Sequence, residues 1–131
     1  DMDKEIENSA GKSIPEIFAD EGESGFRDRE SEAAEKLGSQ RGLVIATGGG
    51  AVLRKQNVDA LRQNALILHV VRPVNKLAMS GRPLSKDYKA LKEMEKQRMS
   101  IYKAAADITF DNSRTRSEAQ LSASLSDLFA L

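Results

Sequence analysis

Leu43-Val44-Ile45-Ala46-Thr47-Gly48-Gly49-Gly50 is an apolar run, rich in β-branched residues, that stops on three consecutive glycines. Short and flanked by glycine, it reads as a buried parallel strand. Glycines at the C-terminal end of a strand leave backbone N–H groups with no Cβ to obstruct a ligand. In open α/β sheets ligands bind at that edge. Gly48, Gly49 and Gly50 are therefore candidates for a small-molecule or phosphate site, with a flexible loop as the plain alternative.

Outward from this run, strand-like and helical patterns alternate. Ala65 to Val71 and Asp107 to Phe110 read as two further strands, and amphipathic segments lie between them. That alternation predicts a parallel sheet with crossover helices. Ser13 and Glu16 form a capping-box pattern with Pro15 in the first turn, which opens a helix over Ser13 to Asp20. A second helix is expected from about Glu23 to Leu37, stopped by Gly38. Asn57 is placed to cap a short helix through Arg62. Pro73 opens another that ends near Gly81. Lys86 to Ala106 reads as a helix interrupted near Arg98. Ser117 and Gln120 repeat the capping box, and Leu121, Leu125 and Leu128 give the last helix a buried stripe.

The chain has 131 residues, enough for one domain with one core. Its 20 basic and 20 acidic residues cancel, which argues against nucleic acid or an anionic membrane as the main partner. Cysteine is absent, so thiolate catalysis and cysteine-based zinc sites are excluded. The single histidine, His69, lies inside an apolar strand and reads as structural. No stretch approaches the roughly 20 apolar residues of a membrane span. A cytoplasmic enzyme or binding domain is the expectation.

Several residues could carry chemistry. Asp1-Met2-Asp3 sets two carboxylates at spacing i, i+2; at the tail of a strand both would share a face. Such a pair suits a metal-linked water and a base, against the plainer reading of an acidic turn. Arg27 and Arg98 could converge on a substrate carboxylate, which arginine binds in bidentate fashion. Each taken alone reads as a solvated charge. Ser80-Gly81-Arg82-Pro83-Leu84-Ser85 reads as a loop presenting Arg82, or as a surface turn. Gly11-Lys12-Ser13 looks like the end of a phosphate-binding loop, but the position for its first glycine is Ile6 and no apolar strand precedes it. Ser13 is better read as a helix cap.

Taken in order, these pieces resemble the shikimate kinases. The resemblance rests on Asp1-x-Asp3, Gly11 through Phe18, Gly22-Glu23 with Phe26-Arg27 and Glu30, Ile45 through Gly50, Arg82-Pro83-Leu84, Arg98 with Tyr102, and Ala106-Asp107. It implies a three-layer α/β/α fold of the nucleoside-monophosphate-kinase-like P-loop type, with a parallel sheet of order 2-3-1-4-5. It also implies one domain over residues 1–131, with a short lid at about 80–86. The implied activity is transfer of the ATP γ-phosphate to the 3-hydroxyl of shikimate, in chorismate and aromatic amino-acid biosynthesis.

The roles follow residue by residue. Asp3 would hold the 3-hydroxyl and act as its base or orienter, and Asp1 would help position Mg²⁺ through water. Arg27 and Arg98 would clamp the shikimate carboxylate, and Gly48, Gly49 and Gly50 would line the ring. Arg82 would come in with the lid to the ATP phosphates. Shikimate and ATP are the expected partners of a monomer. The family's opening strand, P-loop and first helix have no counterpart in these residues. The expectation is therefore a piece of a longer kinase, inactive alone, with Leu43 to Thr47 and the strand around Ile67 on either side of a gap. Rival readings are a related small-molecule kinase, such as a gluconate kinase, or a catalytically dead binding or regulatory domain.

Overall fold

The computed structural model describes residues 1–73 and 88–130. In chain order these form helix α1 (Met2–Ala10), helix α2 (Ile14–Gly38), a 3₁₀ turn (Ala51–Leu53), helix α3 (Lys55–Arg62), strand β1 (Leu68–Val71), helix α4 (Tyr88–Ala105), strand β2 (Ile108–Asp111) and helix α5 (Glu118–Phe129). β1 and β2 pair in parallel, with Leu68 opposite Ile108 and Val71 opposite Asp111. The predicted parallel arrangement is present; β1 starts three residues later than the predicted run from Ala65, and β2 is shifted by one residue from the predicted Asp107 to Phe110.

The first strand expectation is corrected. Residues 43–47 form no regular element and join no ladder among the described residues. Instead of being buried, Val44 is fully exposed and Leu43 is exposed as well. A strand is a pairing, and nothing described lies alongside this segment to pair with it. Its backbone is tied to α1 by Met2 N–H, which donates to Ala46 O at 2.9 Å, and Ile45 packs against the helical core. That bond sets the start of α1 beside the glycine loop.

The start of the chain also differs from expectation. Asp1-Met2-Asp3 is a helix N-terminus and not a strand tail. Asp1 caps α1, its Oδ1 accepting from Asp3 N at 3.0 Å and Lys4 N at 3.4 Å. Two residues apart on a helix, Asp1 and Asp3 point in different directions. Gly11 ends α1 in the left-handed region at φ 69°, and Ser13 opens α2 with its full capping box. Gly11-Lys12-Ser13 is thus a helix–helix corner, as its reading as a cap predicted.

The two helices predicted over 13–37 form one element with a break at Gly22, where φ is 70°. Glu21 bridges the break, accepting from Arg29 Nε at 3.0 Å and pairing with Lys12 at 3.1 Å. Asn57 does not cap α3; it lies inside the first turn, 1% exposed, and donates to Ala51 O at 3.0 Å. α4 runs through Arg98 without the expected interruption. The leucine stripe of α5 is half-buried, and no residue of that helix is fully buried. The helix expected from Pro73 to Gly81 and the lid at 80–86 fall outside the described residues.

The core lies among the helices. Met2 and Ile6 of α1 pack with Ile17, Phe26, Ala33 and Ala34 of α2, joined by Ala51 and Leu61. Their burial follows the helical period, so each helix gives one face to a shared interior. This core fixes α1 against α2 and carries the residues that converge on the glycine loop.

Candidate functional site

Residues 48–50 are the centre of the site, and each glycine meets a different partner. A side-chain carbon on Gly48 would stand 3.5 Å from Asp3 Oδ1 and 3.9 Å from Glu30 Oε2. On Gly49 it would stand 2.8 Å from the Tyr102 hydroxyl and 3.6 Å from Arg98 Nη1. On Gly50 it would run into the Arg27 guanidinium. The bare backbone is what lets α1, α2 and α4 approach the loop together.

Asp3 reaches the loop from the first turn of α1. Its Oδ1 is buried and has no hydrogen-bond partner. Burial raises the Asp3 carboxyl above the ordinary aspartate value and Glu7 adds to this, while Arg27 opposes it. A buried, under-satisfied carboxylate facing open backbone is suited to take a hydrogen bond, and then a proton, from a hydroxyl.

Arg27 is buried on α2, and its Nη1 donates to Glu30 Oε1 at 2.8 Å. Glu30 is itself 1% exposed. Burial pushes the Glu30 carboxyl up, and the hydrogen bond from Arg27 pulls it back. The guanidinium lies 5.3 Å from the Phe26 ring, and Phe26 stacks on Phe18 with centroids 4.8 Å apart. Ser31 Oγ donates to Arg27 O, and Arg54 reaches back from the end of the 3₁₀ turn to Asp28 at 2.8 Å and Ser31 at 3.2 Å. The exit of the glycine loop is thereby tied to the helix that carries Arg27.

Arg98 comes from α4, half-buried, and its charge is felt at Glu30. Tyr102 follows one turn later, its ring 5.2 Å from that of His69 on β1. Asp3, Arg27, Arg98, Gly48, Gly49 and Gly50, all picked out in the sequence, thus gather around one loop. Asp1 lies at the edge, exposed, with Oδ1 engaged in its helix cap. Arg82 lies outside the described residues.

The family description "Shikimate kinase" matches residues 1–128. The chain belongs to the shikimate kinase family. The shikimate kinase of Thiobacillus denitrificans is 40% identical over 126 residues, spanning 87% of this chain and 67% of that protein. That of Thioalkalivibrio sulfidiphilus is 41% identical over 122 residues, spanning 87% of this chain and 64% of the relative. The chain spans about two thirds of the length of these curated relatives.

Among solved structures, shikimate kinase from Acinetobacter baumannii in complex with shikimate superposes with a TM-score of 0.87 at 31% identity, covering 98% of this chain and 76% of that one. Shikimate kinase from Aquifex aeolicus gives a TM-score of 0.76 at 27% identity, covering 97% of this chain and 78% of that one. These neighbours assign the α/β P-loop kinase fold.

Two contributions to this cluster carried no role in the sequence reading. Glu30 is the buried counter-ion that fixes Arg27; its signal was the i, i+3 spacing from Arg27 on a helix. Asn57 holds the carbonyl of Ala51 just beyond the glycines, and its reading as a helix cap hid this. No local pattern distinguishes a capping asparagine from a buried one.

Proposed function

We propose that Asp3, Arg27, Arg98 and the glycine loop form the acceptor site of an ATP-dependent shikimate 3-phosphotransferase. The observation that carries the reading is the unpartnered Asp3 oxygen at Gly48, with one guanidinium at Gly50 and another at Gly49. A ring acid bearing a hydroxyl and a carboxylate complements that pattern of one base and two cations. The Acinetobacter relative, solved in complex with shikimate, adds support.

Arg27 and Arg98 bind the carboxylate by charge-assisted hydrogen bonds and so fix the ring. Asp3 accepts the hydrogen bond of the 3-hydroxyl and takes its proton as the oxygen attacks the γ-phosphorus of ATP, whose bond to the bridging oxygen breaks and releases ADP. Phosphoryl transfer asks mainly for such positioning and charge stabilisation. Arg82 is the cation assigned to the ATP phosphates in this reading. Mg²⁺ fits the carboxylates near the loop, because it takes one or two of them and keeps several waters. Asp1, exposed to solvent, would hold it through water. Bound there, Mg²⁺ supplies charge neutralisation for the phosphates. A single domain over residues 1–131 with a lid at about 80–86, a monomer and a cytoplasmic location complete the reading. No helix among the described residues is long and apolar enough to cross a membrane.

Calorimetry of this chain with shikimate tests the acceptor site. Binding is expected, and Arg98→Ala should weaken it by about 1.5–3 kcal/mol, the worth of a hydrogen bond to a charged group. Equal affinity for gluconate would favour the related small-molecule kinase. No affinity for shikimate under any condition would reject the reading.

A further inference from the structure

His69 occupies an unusual position for the only histidine in the chain. It lies on β1 opposite Thr109, with its ring 5.2 Å from the Tyr102 ring at 45°. Its Nδ1 is buried and has no hydrogen-bond partner among the described residues. Tyr102 in turn sets its hydroxyl over Gly49 beside Arg98. One contact therefore links β1 to the loop that the proposed substrate occupies.

We propose that His69 is a positioning residue that holds Tyr102 over Gly49 only while its imidazole is neutral, which makes occupancy of the glycine loop sensitive to acid. In the imidazolium both ring nitrogens are donors. A protonated Nδ1 would be a buried N–H with no acceptor, attached to a charged ring. The ring relieves this by turning away from Tyr102. Tyr102 then loses the surface against which it packs, and its hydroxyl no longer limits the space above Gly49.

The charged neighbours do not remove that penalty. Burial lowers the His69 pKa, and on α4 Glu95 favours the cation while Lys103 opposes it. Arg98, on the same helix, adds a further cation beside the Tyr102 hydroxyl. Asp111 of β2 shares the side of the ladder that carries Thr109, and Asp107 immediately precedes β2. Asp107 accepts from Ile67 N at 2.8 Å and Asp111 from Ser113 N at 2.8 Å, so both carboxylates are engaged elsewhere. The glycine loop has no ionisable side chain.

One histidine and two tyrosines make the test direct, because ring signals in an NMR spectrum of this chain are few. The His69 and Tyr102 rings are followed without ligand from about pH 8 to about pH 5, the range in which histidine titrates. The Tyr102 signals should move with the His69 midpoint, and that midpoint should lie below the ordinary value of about 6.5. In His69→Phe, which keeps a ring but takes no proton, the Tyr102 signals should stay still.

A second readout rests on the shikimate reading and uses shikimate as the probe. Wild-type affinity should fall on the order of fivefold or more across the midpoint, a typical coupling between linked sites. His69→Phe should keep its affinity over the same range. A residue with a merely structural role would change melting temperature and leave the acid loss in place. Tyr102 signals that ignore the wild-type His69 titration would overturn the proposal, as would a full acid loss retained in His69→Phe. If shikimate binds at no pH, the substrate reading fails, while the ligand-free titration still decides the role of His69.

Discussion

The two sides of the glycine loop are held by different physics. On the α1–α2 wall, Arg27 and Glu30 are both buried and joined at 2.8 Å, with Asp3 close by. On the α4–β1 wall, Arg98 is half-buried and forms no hydrogen bond or ion pair among the described residues. Tyr102 there is placed by ring packing on His69. A buried ion pair fixes a guanidinium before any ligand arrives, and it ties that guanidinium to the stability of the fold. A cation held by packing alone can turn to meet a ligand and adds little to stability. The same residue type, arginine, thus serves two purposes on opposite sides of one loop.

The largest predicted effect breaks the first wall. Arg27→Ala leaves Glu30 as a buried charge without its partner, and removing one member of a buried pair typically costs about 3–5 kcal/mol. Urea unfolding should show that loss together with the loss of shikimate binding. Arg98→Ala should change unfolding free energy by much less, on the order of 0.5 kcal/mol, because Arg98 is half-exposed and touches the first wall only through the effect of its charge on Glu30. Its cost should fall on binding instead. If both variants destabilise equally, the contrast between the walls is wrong.

The glycines sharpen the comparison at smaller scale. Gly50→Ala drives a methyl into a guanidinium that the ion pair and the Phe26 ring hold in place. Overpacking of that kind costs roughly 1–3 kcal/mol. Gly49→Ala meets the tip of Tyr102 at 2.8 Å, where a side chain held by packing can yield. Stability should therefore fall more in Gly50→Ala than in Gly49→Ala. The reverse order, measured by thermal unfolding, would mean that α4 is the rigid wall.

What the sequence revealed follows the range of the forces involved. The capping boxes at Ser13 and Ser117 were legible because a cap is a contact between residues three apart. Gly48, Gly49 and Gly50 stood out in the sequence because three residues without a Cβ leave the backbone open to close approach, whatever the segment before them does. Burial at residues 43–47 was misread, because a strand is buried only when a distant segment lies beside it. Asp1 and Asp3 were misread in conformation for a related reason. Two acids near a chain start fit a turn, a strand tail or a cap equally, and the hydrogen bond from Met2 to Ala46 that orients them spans most of the first fifty residues. The pairing of Arg27 with Glu30 was available in the i, i+3 spacing, yet exposed helices carry the same spacing, so burial was the missing fact.

The smallest effect concerns Asp3 and runs in the opposite direction. Burial raises its carboxyl above the ordinary value, so the folded chain binds this proton more readily than the unfolded chain. Stability from this group therefore rises as pH falls through the window above the unfolded aspartate value, and it is lowest at neutral pH. Glu21 has the opposite sign: Arg29 and Lys12 lower its carboxyl, so its contribution is present above the unfolded value and is lost in acid. Glu30 shares the sign of Asp3, so only the difference between wild type and Asp3→Asn isolates the one residue. Asp3→Asn should be more stable at neutral pH by about 0.5–1 kcal/mol, the scale on which relieving an active-site strain stabilises a protein. That gain should vanish in acid, where the wild-type carboxyl is protonated. Thermal unfolding of both proteins across the pH range checks the sign. An asparagine variant no more stable than wild type at neutral pH would show that the unpartnered oxygen carries no cost, and the α1–α2 wall would then hold one strained group fewer than the geometry suggests.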